Sequence, residues 1–138
     1  MDKIAQITNY VVEVNKMKMT AASLNIANAD AQSNSSANIY KEIMVKATGT
    51  NQISDFLEEN RADLSNYLNA SYIQNTNDTK RYAPSSPYAD SMGFVYSSNI
   101  DHTKQMLDVQ NSKRVYESAL KIYQMHMDMN SAILRIGK

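Results

Sequence analysis

Five consecutive residues, Met125-His126-Met127-Asp128-Met129, set soft sulfur, imidazole and carboxylate donors side by side, the set that a soft metal ion would seek. On a helix, however, Met127 lies roughly 160–200° around the axis from Met125 and Met129, so the three sulfurs cannot converge on one ion. Methionine as adaptable interface packing is the better reading. His102 and His126 stand too far apart along the chain to share an ion on one helix, and each is expected at an interface or in solvent rather than as a pH sensor. Glu58, Glu59 and Asp63 form the densest acidic cluster. A catalytic carboxylate pair needs enclosure and a perturbing neighbour, neither of which the adjacent residues supply, so a solvated face is expected. Nine tyrosines without interleaved basic residues fit protein contacts better than base stacking. Three glycines are too few for a phosphate loop or a dinucleotide fingerprint. No catalytic, cofactor-binding or metal-ligating residue is assigned, and the chain is not expected to be an enzyme.

The elements that carry these residues are two long amphipathic stretches at the ends of the chain. Val115, Ala119, Ile122, His126, Met129, Ile133 and Ile136 step alternately by four and three residues, so they share one face of a helix. No Pro or Gly interrupts residues 101–136, and Asp101 is placed to cap the helix. Such a helix is about 50 Å long, well beyond the radius of gyration near 14 Å expected of a compact domain of 138 residues. At the other end Ile4, Ile7, Val11, Val14, Met17, Ala21, Leu24 and Asn28 form a second stripe, on a helix that ends near Asn28–Asp30. The simplest burial of both stripes pairs the terminal helices as an antiparallel coiled coil, with further copies covering what remains exposed. Leu120, Tyr123, Met127 and Leu134 widen the C-terminal stripe.

The fold class expected is mainly α: a helix over residues 1–30, an intervening loop and short-strand region over 31–100, and a helix over 101–138. Within the middle, Tyr40 to Val45 suits a short strand, Ile53, Phe56, Leu57, Leu64, Tyr67 and Leu68 could lie on a helix, and Leu68 to Ile73 also suits an irregular strand. The segment from Asn75 to Phe94, with Pro84, Pro87 and Gly93, reads as extended or turning chain.

Charge and composition exclude more. Fourteen basic and fourteen acidic residues cancel without any long block of one sign, which argues against nucleic acid or an anionic membrane as partner. No Cys is present, so disulfide, zinc-thiolate and thiol chemistry are excluded. The N-terminal stretch is too often interrupted by polar residues for a signal peptide or a membrane span; the protein either stays in the cytoplasm or leaves by a route that reads no cleaved signal.

Two passages resemble the flagellar basal-body rod proteins, and within them the proximal-rod FlgC-type family. Ser23 to Ala31, SLNIANADA, looks like the signature S-x-N-[LI]-A-N-x-[DN]-T. Tyr82-Ala-Pro-Ser-Ser-Pro-Tyr-Ala-Asp90, Gly93-Phe-Val95 and Asn99 are similar to Y-x-P-x-x-P-x-A-D-x-x-G-[YF]-V-x-x-x-N, continued by Gln105-Met106, Arg114-x-Tyr116 and Leu134-Arg-Ile-Gly137. Together they cover roughly the first thirty and last sixty residues. Ala31 departs from the pattern's Thr, Tyr40-Lys-Glu-Ile43 replaces a basic run, and residues 48–79 show little likeness.

The resemblance implies a structural subunit of the proximal rod, exported unfolded through the flagellar type III apparatus, polymerising through its terminal helices to transmit torque and line the export channel. It implies as partners further copies of the chain, other rod proteins, and membrane-ring and export-gate proteins, in the periplasm-spanning rod and without direct membrane insertion. Subunit-interface residues are then expected at Ile7, Val11, Val14, Leu24, Asn25, Asn28, Arg114, Val115, Tyr116, Ile122, Met129, Ile133 and Ile136. Asn25 and Asn28 could cap carbonyls or bridge to a neighbour, and residues 82–99 form a rigid bracket feeding the last helix. A helix hiding ten apolar side chains gains of order 15–30 kcal/mol of gross burial, so both ends are expected to be disordered until they dock. Two rivals are a soluble helical adaptor or export chaperone that seizes a partner helix, and an enzyme with its site in the middle segment.

Overall fold

The computed structural model describes residues 3–48 and 69–136, with the side chains of Thr48 and Ile136 left out. Glu58, Glu59 and Asp63, and the helix considered over Ile53 to Leu68, lie outside the described residues. The elements are α1 (Lys3–Ala27), β1 (Gln32–Ser33), β2 (Ile43–Thr48), β3 (Asn69–Gln74), β4 (Asp78–Tyr82), β5 (Phe94–Ser98) and α2 (His102–Ile136).

The mainly α expectation is wrong. Helix makes up 53% of the described residues and strand 21%, in five strands, so the fold is mixed α/β. β2 and β3 pair antiparallel from Ile43↔Gln74 to Thr48↔Asn69, and β1, β5 and β4 form a second antiparallel sheet with β5 in the middle. Part of the segment read as extended or turning chain belongs to this second sheet: Asp78 to Tyr82 pairs residue by residue with Ser98 to Phe94, while residues 83–93 are the loop between them. Its apolar-polar alternation is weak because most of the β4 side chains are exposed, and only Val95 at the centre is fully buried.

The prolines stand in the loop that joins β4 to β5. Asp90 Oδ1 accepts the N–H groups of Met92 and Phe94, both at 2.8 Å, which folds the loop back on itself. Gly93 sits at φ +82°, where a side chain is strained, and a Cβ there would meet Tyr82 Cε2 at 2.9 Å. The close approach lets Tyr82 and Phe94 stack edge to face at 5.3 Å, with Lys80 Nζ 3.9 Å from the Phe94 centroid. The expected bracket is therefore a braced hairpin.

α2 starts at the predicted cap: Asp101 Oδ1 accepts the N–H groups of Thr103 and Lys104 at 2.8 and 3.2 Å. α1 ends against the second sheet. The Ser98 hydroxyl lies 2.6 Å from the carbonyl oxygen of Ala29 and 3.2 Å from that of Asn28, and Asn28 Nδ2 donates to its own Leu24 carbonyl at 2.8 Å. Ser98 of β5 thus ties down the chain just past the helix end, and the Asn28 side chain adds a second donor to the Leu24 carbonyl, which also accepts the Asn28 N–H at 3.2 Å.

The two helices lie against each other with opposed directions. Asn25 meets Gln105 near one end, and Ile4 to Val11 face Val115 to Ile122 near the other. The line of α2 that faces α1 is Gln105, Val109, Ser112, Tyr116, Ala119, Tyr123 and His126, again stepping by four and three, buried or half-buried throughout. From α1 it meets Thr8, Asn15, Ala22 and Asn25, all buried. This seam is not the apolar stripe read from the sequence. It shares only Ala119 and His126 with it, and its fully buried positions, Gln105, Ser112, Ala119 and His126, are small or polar, with Val109, Tyr116 and Tyr123 half-buried between them.

Candidate assembly surface

The α1–α2 pair carries two sites, a buried polar hub that sets its geometry and an apolar groove that it leaves open. The hub is centred on Asn25, which is 1% exposed. Its Nδ2 donates to the carbonyl oxygen of Ile43 at 2.8 Å and to Gln105 Oε1 at 3.0 Å; its Oδ1 accepts from the Ile43 N–H at 2.8 Å and the Tyr40 hydroxyl at 3.1 Å. Both donors and both acceptor positions of the amide are used. The side chain pairs with the Ile43 backbone as a neighbouring strand would, so it holds the start of β2 against α1.

Gln105 carries the network on. Its Nε2 donates to Glu42 Oε1 at 2.8 Å; Glu42 also takes Lys104 Nζ at 3.4 Å and Asn75 Nδ2 at 3.1 Å, while the Asn75 N–H donates to the Glu42 carbonyl at 2.8 Å. Glu42 and Gln105 are buried, so a charge without these donors would be costly there. Burial also pushes the Tyr40 hydroxyl above its ordinary pKa of 10.0. One helix end, one helix start and the β2–β3 pair are thereby tied at a single point.

The groove lies toward the other end of the pair. Ile4, Ile7, Thr8 and Val11 of α1 and Val115, Ser118, Ala119 and Ile122 of α2 enclose about 290 Å³ with an almost wholly apolar lining. Val115 is 45% and Ile122 54% exposed, although both are large apolar side chains. At Val115 the groove joins a second hollow of about 310 Å³, lined by Asn15, Lys18, Glu42, Lys104, Asp108 and Asn111 among others, so it becomes polar toward the hub.

Beyond the groove α2 continues without a neighbouring element among the described residues. With Ile4 beside Ile122, the start of described α1 at Lys3 comes level with about Tyr123–His126, and every residue from Met127 to Arg135 is exposed. This tip presents Met127, Met129, Ile133 and Leu134 to solvent, with Met129 at 53% and Ile133 at 59%. His126 is buried at the seam's end, its Nε2 3.0 Å from Asn130 Nδ2, and His102 is exposed.

The expected interface residues divide accordingly. Ile7, Val11, Val115 and Ile122 line the groove, and Met129 and Ile133 stand on the tip. Leu24 is exposed elsewhere, beside Thr20, Ile43, Tyr72 and Gln74. Val14 and Asn25 are buried within the chain, Asn28 caps its own helix, and Tyr116 is half-buried on the α1 seam, so these four serve the fold. Arg114 is exposed, and Ile136 ends the helix with its side chain outside the described atoms.

The hub partners Tyr40, Glu42, Asn75 and Gln105 were not picked out as site residues. Tyr40 to Ile43 is the run that departs from the rod pattern, and three of its four residues join the hub. Among the described residues no group of three or more His, Asp or Glu side chains could hold a metal ion, and no helix is long and apolar enough to cross a membrane. Compared with known proteins, the sequence matches no family model, and none of the curated proteins aligns with it as a relative.

Proposed function

We propose that this chain is a structural, non-enzymatic subunit of the proximal rod of the bacterial flagellar basal body, built into the rod through its terminal helices. The reading rests on the resemblance of residues 23–31 and 82–137 to rod-protein signatures. The observation that carries it is the groove of Ile4, Ile7, Val11, Val115, Ala119 and Ile122, continued by the exposed tip of Met129 and Ile133. An apolar row of this length, left open by the chain's own helix, is an interaction surface. The chain is exported without a cleaved signal, its neighbours are further copies and other rod proteins, and membrane-ring and export-gate proteins lie at the rod's base. Burial of the row supplies the assembly energy, and the hub keeps the β2–β3 pair in a fixed place relative to the helices.

Interrupting the tip tests this in cells. Ile133→Pro breaks the last turns of α2; the expected outcome is protein that is secreted but not incorporated into rods, whereas normal rods would overturn the reading. The same groove also suits a helical adaptor or export chaperone that receives a partner's helix. That reading requires a monomer or small closed oligomer at concentrations where a rod subunit polymerises, and sedimentation velocity separates the two.

A further inference from the structure

The groove and the tip are two parts of one row on one helix, and among the described residues only the groove has a second helix beside it. The tip runs about 14 Å from Met127 to Ile136, and the groove about 10 Å from Val115 to Ile122. The tip is thus long enough to fill the groove and too short to need more. The spacing also agrees: Met129 follows Val115 by fourteen residues, and Ile133 follows Ala119 by fourteen. Fourteen residues are two heptads, the repeat that brings a parallel helix back into the same knobs-into-holes register. A net charge of zero leaves no overall repulsion between copies.

We infer that the α2 tip of one copy lies in the α1–α2 groove of a second copy, parallel to its α2 and displaced by two heptads, or about 21 Å along the helix axis. The inference rests on the proposed rod function and specifies its contact. The surface that fills differs from the surface that is filled, so the contact is heterologous and each added copy presents a new tip or a new groove, as an open polymer needs. In this arrangement the first copy's Met129 stands level with the second copy's Val115, and the first copy's Ile133 stands over the second copy's Ala119, the groove floor.

Cysteine pairs test the register, since the natural chain has no Cys to compete. In Val115→Cys/Met129→Cys the two thiols are about 21 Å apart within one helix, well beyond disulfide reach, so any bond joins two copies. Both positions are about half exposed, and circular dichroism establishes that the variant is folded. Under assembly conditions with mild oxidant, the expected result is a ladder of dimers, trimers and higher species on non-reducing gels, absent from either single variant. Closure of Ile122→Cys/Met129→Cys into dimers alone, with no ladder from the 115/129 pair, would mean that the helices meet antiparallel and would overturn the inference. Assembly of the unmodified chain by sedimentation without the 115/129 ladder also overturns it while leaving the rod reading intact. A chain that stays monomeric under the same conditions overturns both.

Discussion

Replacing Asn25 separates a structural pin from a surface contact more sharply than any other change. In Asn25→Ala the Ile43 N–H, the Ile43 carbonyl and Gln105 Oε1 all lose their partner in a place that is almost wholly closed to solvent. A buried polar group left unsatisfied costs about 1–3 kcal/mol. The removed amide leaves space that a water can enter to meet some of these groups, so the lower part of the range applies, about 3–5 kcal/mol for the three together. Against the roughly 5–15 kcal/mol by which a domain of this size is stable, that is a large fraction. Asn25→Asp keeps the shape but turns the two-proton donor into an oxygen facing the Ile43 carbonyl and Gln105 Oε1. It is expected to destabilise at least as much near neutral pH, and to recover part of the loss as the carboxyl is protonated and regains a donor. The assay is urea unfolding followed by far-ultraviolet circular dichroism, carried out in a Met129→Asp background so that self-association contributes nothing. A loss below about 1 kcal/mol in Asn25→Ala, or a stability unchanged in Asn25→Asp, would refute the hub as the point that joins the helices to β2.

Four further outcomes are expected. Ile122→Asp and Met129→Asp place charges on exposed positions, so each should leave monomer stability within about 0.5 kcal/mol while abolishing assembly, as measured by sedimentation. Gly93→Ala forces a side chain into a left-handed backbone conformation and against Tyr82, and should cost about 1–3 kcal/mol in thermal unfolding. The Tyr40 hydroxyl donates to Asn25 and has its pKa raised by burial, so the neutral form is the one the fold favours. That contribution is complete below the ordinary tyrosine value of 10.0 and is lost as pH rises through the higher folded value; a Tyr40→Phe variant should lack this alkaline loss in unfolding titrations. Amide hydrogen exchange on the monomer should find residues 102–126 protected and 127–136 fast, with the fast segment slowing on assembly; fast exchange over the whole of α2 would contradict the paired seam.

Much of the framework was legible because it depends on local rules. A run of 35 residues without Pro or Gly, begun by an Asp, could hardly be anything other than a helix, and Asp101 caps it as its type and place suggest. Pro84, Pro87 and Gly93 announced turning chain, while the part Asp90 plays in bracing the loop shows only in the structure. The strands were legible only in part, since β4 exposes Thr79, Lys80, Arg81 and Tyr82 and so shows no apolar alternation; its existence depends on the partner strand β5, whose paired residues lie twelve positions on at Tyr82↔Phe94 and twenty at Asp78↔Ser98. The hub was hidden for the same reason. Asn25, Glu42, Asn75 and Gln105 are spread over eighty residues, and each alone reads as an ordinary polar side chain.

The face of α2 that α1 covers is not its most apolar stripe, and the cause is physical. Burial energy favours covering the most apolar face, which is why the two terminal stripes were expected to pair, with further copies covering the remainder at Val115, Ile122 and Met129. Yet α1 is held at Asn25, whose amide needs both Gln105 and the Ile43 backbone, and that attachment fixes which side of α2 it can lie on. From Gln105 the seam can only follow positions seven apart, Ser112, Ala119 and His126, and these are small or polar. The intrachain contact thus gives up apolar burial for close approach and a fixed register. The row one step around the helix is left exposed, and that uncovered apolar row, beside a seam and hub that use small and polar side chains for register, is what the proposed assembly would cover.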